Sequence, residues 1–243
     1  MQLESIDLVL RPRTTWEGCD VGVRLLQSRM GTVFFCYLSV ALPLFAIAIS
    51  TFDIAPWLPA LFIWLAKPWL DRTVLFALSR ALFGESTHPA EVWQAQREVW
   101  WRLLPATLIL RRLSMSRSFT QPIAQLEGLS GASLRARLRQ VAQRHRMVAR
   151  TATLVFLAAE LALTASLISL LSWLSPHHGG WQMNNLLPFS SETLNFGLTV
   201  AYAAAVAFIE PFYVAAGFGM YLNRRVELEA WDVEQEFRRA FAA

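Results

Sequence analysis

Lysine is all but missing from this chain. Of its 22 basic residues, 21 are arginine and Lys67 stands alone. Cysteine is nearly as scarce. Cys19 precedes the first long apolar run and Cys36 lies inside it, so no disulfide framework is implied. Charged residues make up 16% of the chain, against about 25% in ordinary soluble domains. The common catalytic signatures are missing too: there is no P-loop, no Gly-x-Ser-x-Gly, no His-Glu-x-x-His and no Asp-x-Asp. The isolated Gly217-Phe218-Gly219 does not make a nucleotide site. No nucleophile–base pair or metal-ligand set emerges, so neither a cofactor nor a metal is expected; His177-His178 is a neighbouring pair with no Cys or acid cluster nearby. The opening MQLESIDLVLRPR holds acids and no long apolar core, which predicts no cleaved signal peptide.

What is abundant is apolar. Hydrophobic residues reach 55%, mean hydropathy is +0.37, and ten Trp and sixteen Phe suit a chain anchored at bilayer interfaces. About 20 consecutive apolar residues cross a bilayer. Residues 30–52 are uncharged throughout, with Pro43 predicting a kink. Residues 54–70 form a shorter second run, opened by Pro56 and Pro59 and broken late by Lys67-Pro68; a re-entrant hairpin is the alternative. Residues 151–174 and 193–222 complete the set, carrying Glu160 and Glu210. Between and around these runs, 14–29, 73–150 and 224–241 mix charge with apolar spacing. Val92, Val99 and Leu103 make one face, and Leu134, Leu138, Val141 and Val148 another. Val226, Ala230, Val233 and Phe237 make a third, in the tail. Such helices lie in the interface or beneath a bundle. The stretch SMSRSFTQPIAQLEGLSG reads as a loop.

These runs predict an all-α, polytopic helical membrane protein. It is a single domain over 1–243, with four transmembrane helices and cytoplasmic or interfacial helices between and beyond them. Arginine sets the orientation: none falls in Phe52–Leu70 or Leu174–Asn223. The positive-inside rule then puts both termini in the cytoplasm. The same segregation argues against nucleic acid as the partner of the basic charge. Arg135, Arg139, Arg146 and Arg150, leading into the third run, are instead expected to contact anionic lipid headgroups.

Two intramembrane carboxyls are the chief functional candidates. Glu160 lies about 15 Å above Arg150 and Glu210 about 20 Å above Arg224, at 1.5 Å per residue. Antiparallel neighbours would bring them to similar depth near mid-membrane. Three roles are open: a pair handling protons or cations; protonated glutamates locking helices together through Tyr202, Tyr213, Thr164 or Ser166; or a charge pair with Lys67. Pro211 cannot donate to the Ala207 carbonyl, which predicts a kink and a carbonyl that protonated Glu210 or a water would satisfy. Ala215, Gly217 and Gly219 offer a thin surface for close helix approach. Trp16–Val21 echoes Leu228–Val233, each with a Glu/Asp pair three apart, Glu17/Asp20 and Glu229/Asp232. These acidic faces are expected to gather cytoplasmic arginines, and Thr14-x-x-Glu17 is a capping-box pattern.

The stretches LRPRTTWEGCDVG, LDRTVLFALSRALFGE, LRRLSMSRSFTQPIAQLEGLSG and EPFYVAAGFGMYLNRRVELEAWDVE cover most of the chain. On them it resembles an uncharacterised family of proteobacterial inner-membrane proteins. More distantly, the last stretch is similar to the membrane domain attached to some glycerophosphodiester phosphodiesterases; the catalytic domain is not in this chain, so that activity does not transfer. The close resemblance implies the bacterial inner membrane and a subunit or scaffold working with other membrane proteins. It also implies a MoxR-type ATPase system with transglutaminase-like membrane proteins, and it supplies no catalytic residues. The function expected is a non-enzymatic inner-membrane scaffold or accessory subunit that organises partners through its cytoplasmic helices. The alternative is a transporter or channel component using Glu160 and Glu210. An intramembrane or lipid-modifying enzyme ranks third.

Overall fold

The computed structural model describes residues 13–101, 116–129, 131–143, 145–174 and 191–229. Among these, all regular structure is helical: α1 Thr15–Ser28, α2 Met30–Ile49, α3 Leu58–Ala81, α4 Pro89–Trp101, α5 Arg117–Leu126, α6 Gly131–Ala142, α7 Arg146–Leu174 and α8 Ser191–Glu229. The segment with His177-His178, the tail face beyond Glu229 and Leu103 lie outside the described residues, as does the side chain of Val99.

Three helices are long and apolar enough to cross a membrane: Met30–Ile49, Arg146–Leu171 and Thr193–Leu228. The expected second span is not among them. Instead of ending near residue 70, its helix continues unbroken through Pro68 to Ala81 as α3. The physical reason lies in its charges, since Lys67, Asp71 and Arg72 are all buried. They face protein partners rather than water, so nothing requires the helix to stop where they begin. The stretch from Thr73 is therefore the second half of α3, not a separate interfacial helix.

Three further boundaries differ from expectation. Residues 117–126 form a helix rather than a loop, because Phe119 and Ile123, one turn apart, are fully buried. Burial of that face overrides the poor helix propensity of its Ser, Thr and Pro residues. The arginine-rich helix does not run straight into the next span either. It breaks between Ala142 and Arg146, and His145 Nδ1 sits 2.7 Å from Thr15 Oγ1 of α1. At the far end, α8 continues past Arg224 to Glu229 instead of yielding to a new helix.

α8 is the axis of the fold, with α1, α2, α3, α5 and α7 packed around it. Its first half exposes apolar side chains, including Phe196, Leu198, Val200 and Phe208. From Tyr213 to Asn223 every residue is buried, enclosed by neighbouring helices. α1 supplies one wall. Its capping box is formed as expected, Glu17 N donating to Thr14 Oγ1 (3.3 Å) and Thr14 N to Glu17 Oε2 (3.0 Å). Beyond it, Gly18 and Gly22 lie against α8. A Cβ on Gly22 would fall on the Ala215 carbonyl, and one on Gly219 on the Gly18 carbonyl. Backbones this close require glycine on both helices. Asn223 completes the join, its side-chain amide accepting from Arg13 N (2.9 Å) and donating to Arg13 O (2.7 Å).

Candidate functional site

Where α3, α5, α7 and α8 meet, five charged side chains form one connected network. Lys67 of α3 lies between the two glutamates, its Nζ 2.5 Å from Glu160 Oε2 and 2.8 Å from Glu210 Oε2. Glu210 offers its other oxygen to Arg117 of α5, whose Nη2 donates at 2.8 Å. Arg117 Nε then lies 2.6 Å from Asp71 Oδ2. That N–H is not aimed along the line of contact, so this last link is an ion pair without a formed hydrogen bond. Asp71 and Glu210 are 0% and 1% exposed, leaving water no part in screening them.

Each member sits where its helix brings it to the shared axis. α7 has only a narrow inward stripe, Ala149, Ala152, Glu160 and Thr164, and Glu160 is its single charge. Lys67 and Asp71 are four residues apart on α3 and so share a face. Arg117, on the first turn of α5, is held by its aromatic neighbour, with Cζ 5.5 Å from the Tyr213 ring centroid. Tyr213 is fixed in turn by the Ser118 N–H and by Thr153 Oγ1, both at 3.3 Å. Burying charge is costly, and pairing offsets the cost only with close geometry. Removing one partner leaves the other buried and alone, so the network clamps the helices that supply it. It also carries three carboxylates against two cations, a surplus of one negative charge if all are ionised.

Beside Arg117 a cavity of about 270 Å³ opens between α3, α5, α6 and α7. Arg72, Arg117, Arg146 and Arg150 all line it, with Gln121 among the polar groups, and among the described residues no carboxylate does.

Of the three roles open for Glu160 and Glu210, the arrangement found is the ion pair with Lys67, which bridges both. Two of the hydroxyls considered as locks are used elsewhere. Thr164 donates to the Glu160 backbone carbonyl (2.8 Å) and Ser166 to Ala162 (2.7 Å). Nor does Glu210 turn back on the carbonyl freed by Pro211: its oxygens are taken by Lys67 and Arg117, while Tyr37 Oη donates to the adjacent Val206 carbonyl at 3.3 Å. Gly217 and Gly219 serve different neighbours. Gly217 makes room for Ser118 of α5, Gly219 for α1. Glu17 is used in its cap, and Asp20 is exposed with no arginine in ion-pair contact among the described residues. Glu229 ends α8, and Asp232 lies outside the described residues. Arg146 and Arg150 line the cavity, Arg139 a shallower depression next to it, and Arg135 is exposed on α6 away from it.

Asp71 and Arg117 were not singled out by sequence. Asp71 follows an apolar run and reads as a cytoplasmic boundary marker, and Arg117 sits in a polar stretch that resembles a loop. The one available signal was Lys67, the only lysine in a chain that otherwise uses arginine. Among the described residues, no group of three or more His, Cys, Asp and Glu is placed to hold a metal ion. Comparison of the chain with family models, curated proteins and solved structures returned no match.

Proposed function

We propose that this chain is a non-enzymatic scaffold or accessory subunit of a bacterial inner membrane, presenting cytoplasmic helices to other membrane proteins. The observation that carries this reading is the closure of the charge network. Lys67 and Arg117 each contact two carboxylates, all from the protein itself, and the result ties four helices into a rigid frame. α7 joins that frame by one narrow stripe and leaves Leu154, Val155, Leu157 and Leu161 exposed, a surface suited to lipid or to a membrane partner. In the topology that fits this role, α3 is the fourth crossing, its charges buried within the protein, and both termini are cytoplasmic. The MoxR-type ATPase system implied by resemblance is the partner set to look for first.

The test is affinity purification in mild detergent with mass spectrometry. The same membrane partners should return with wild type and with Glu160→Gln and Glu210→Gln wherever those variants fold. A chain that copurifies with nothing, or loses its partners through these changes alone, would sink the scaffold reading. A reporter inserted within 179–185 should be found outside the cytoplasm.

A second reading rests on the surplus charge. Three carboxylates and two cations leave room for one proton or small cation, and Asp71, fully buried beside Glu210, is where it would sit. A transporter or channel component would use Glu160, Glu210 and Asp71 in this way. Proton or cation flux in proteoliposomes, lost in Asp71→Asn while the fold is retained, would favour it over the scaffold.

A further inference from the structure

The arginine-lined cavity is not used by the clamp, and among the described residues its charge has one sign. Four arginines line it, and no described carboxylate does. Arg117 is engaged on its inner side by Asp71 and Glu210. Arg146 and Arg150, by contrast, make no ion pair among the described residues and sit in the first turns of α7. Cations are unfavourable at a helix N-terminus, where the macrodipole and the free N–H groups favour an anion. Both are exposed to solvent, and convergent cations at such a place attract an anion from it.

A second observation points the same way. Gln121, 8% exposed, lines the cavity, and its Nε2 is buried with no acceptor in hydrogen-bond range. A buried amide donor without an acceptor is costly, so the site lacks an acceptor and not another donor. We propose that the cavity binds a phosphoryl anion. Guanidinium forks match phosphate oxygens in pairs, and Gln121 supplies a neutral donor from the floor. The anion is either the headgroup phosphate of an acidic lipid, its chains running up the exposed apolar face of α7, or a free phosphate from solution. Either source satisfies the same groups. This inference does not depend on whether the chain is a scaffold or a transporter.

The experiment uses the full chain purified in dodecyl maltoside, with its melting temperature followed by tryptophan fluorescence. One arm titrates dioleoylphosphatidylglycerol against dioleoylphosphatidylcholine in mixed micelles. The other titrates inorganic phosphate against sodium chloride at equal ionic strength. A saturable rise with phosphatidylglycerol alone identifies the lipid source; a saturable rise with phosphate identifies the soluble one. The paired variant Arg146→Gln/Arg150→Gln should need at least tenfold more ligand for the same rise, whereas Arg135→Gln, outside the cavity, should match wild type. Gln121→Leu removes the unsatisfied donor without unbalancing charge. It should melt no lower than wild type in the absence of ligand, yet bind more weakly. The proposal is overturned if neither titrant gives a saturable shift, or if wild type and the Arg146/Arg150 variant respond alike.

Discussion

Both α7 and α8 are long and apolar, and each buries one glutamate, yet only 11% of the apolar window of α7 is covered by protein against 56% in α8. The more hydrophobic of the two is the barer one, with mean hydropathy 2.2 against 1.6. In a soluble protein this would be backwards. Beside a bilayer it is natural, because lipid is as apolar as a protein core and offers no reason to hide leucine. What draws a helix inward is then the close fit of small residues and the pairing of charge. α8 has glycines at the α1 and α5 contacts and Glu210 between two cations. α7 has one thin stripe ending in Glu160 and Thr164. The two helices are thus tied into the bundle by different means, and each tie can be cut separately.

The deepest cut is Lys67→Met. It strands Glu160, whose one ion pair among the described residues is with Lys67, and leaves Glu210 with Arg117 as its cation. Breaking a buried ion pair from one side costs about 3–5 kcal/mol, and unfolding in detergent should show a loss of that size. Adding Glu160→Leu should restore much of it, since no stranded charge then remains on α7. If the double variant is as unstable as the sum of the single changes, Lys67 is not what ties α7 to α8. Next comes Gly22→Ala. Its methyl meets the Ala215 carbonyl, and overpacking of this kind costs about 1–3 kcal/mol. The damage should be confined to the docking of α1, leaving the α7 contact intact.

Smaller still is Leu157→Ala on the outer face of α7. It should leave stability within about 0.5 kcal/mol of wild type, whereas the scaffold reading expects weaker partner recovery when that face is altered more widely. The finest probe is Cys19 on α1. Burial, with some help from neighbouring Asp20, pushes its thiol up to about 11. At pH 8 about one molecule in a thousand then carries the thiolate that reacts. Alkylation by iodoacetamide should therefore be very slow, rise as the pH approaches 11, and quicken at pH 8 in Gly22→Ala if α1 has loosened. Equal labelling rates in the two proteins would mean that the glycine contact does not hold α1 in place.

Much of the frame was legible in sequence because it follows from simple counting. Apolar runs of sufficient length mark α2, α7 and α8, and Thr14-x-x-Glu17 marks the start of α1. The site was only half legible. Glu160 and Glu210 announce themselves as charges in apolar runs, and Lys67 as a lysine where arginine is the rule. Asp71 and Arg117 carry no such mark, because a charge beside a polar stretch looks solvated until the fold closes over it. The boundaries of α3 and α5 failed for the same reason. Residues 71–81 and 117–126 are mixed in composition, and tertiary burial, which local sequence does not encode, fused the first to the preceding span instead of leaving it a separate helix and made the second helix instead of loop.

The contact between Arg13 and Asn223 joins positions 210 residues apart. On the ribosome, α1 emerges among the first helices and α8 after all the others described. The amphipathic first helix must therefore wait, with Gly18, Cys19 and Gly22 uncovered, until the axis it belongs to has been made and inserted. Shortening the chain from the C-terminal side of α8 would consequently be felt first at the opposite end, as an α1 with nowhere to dock.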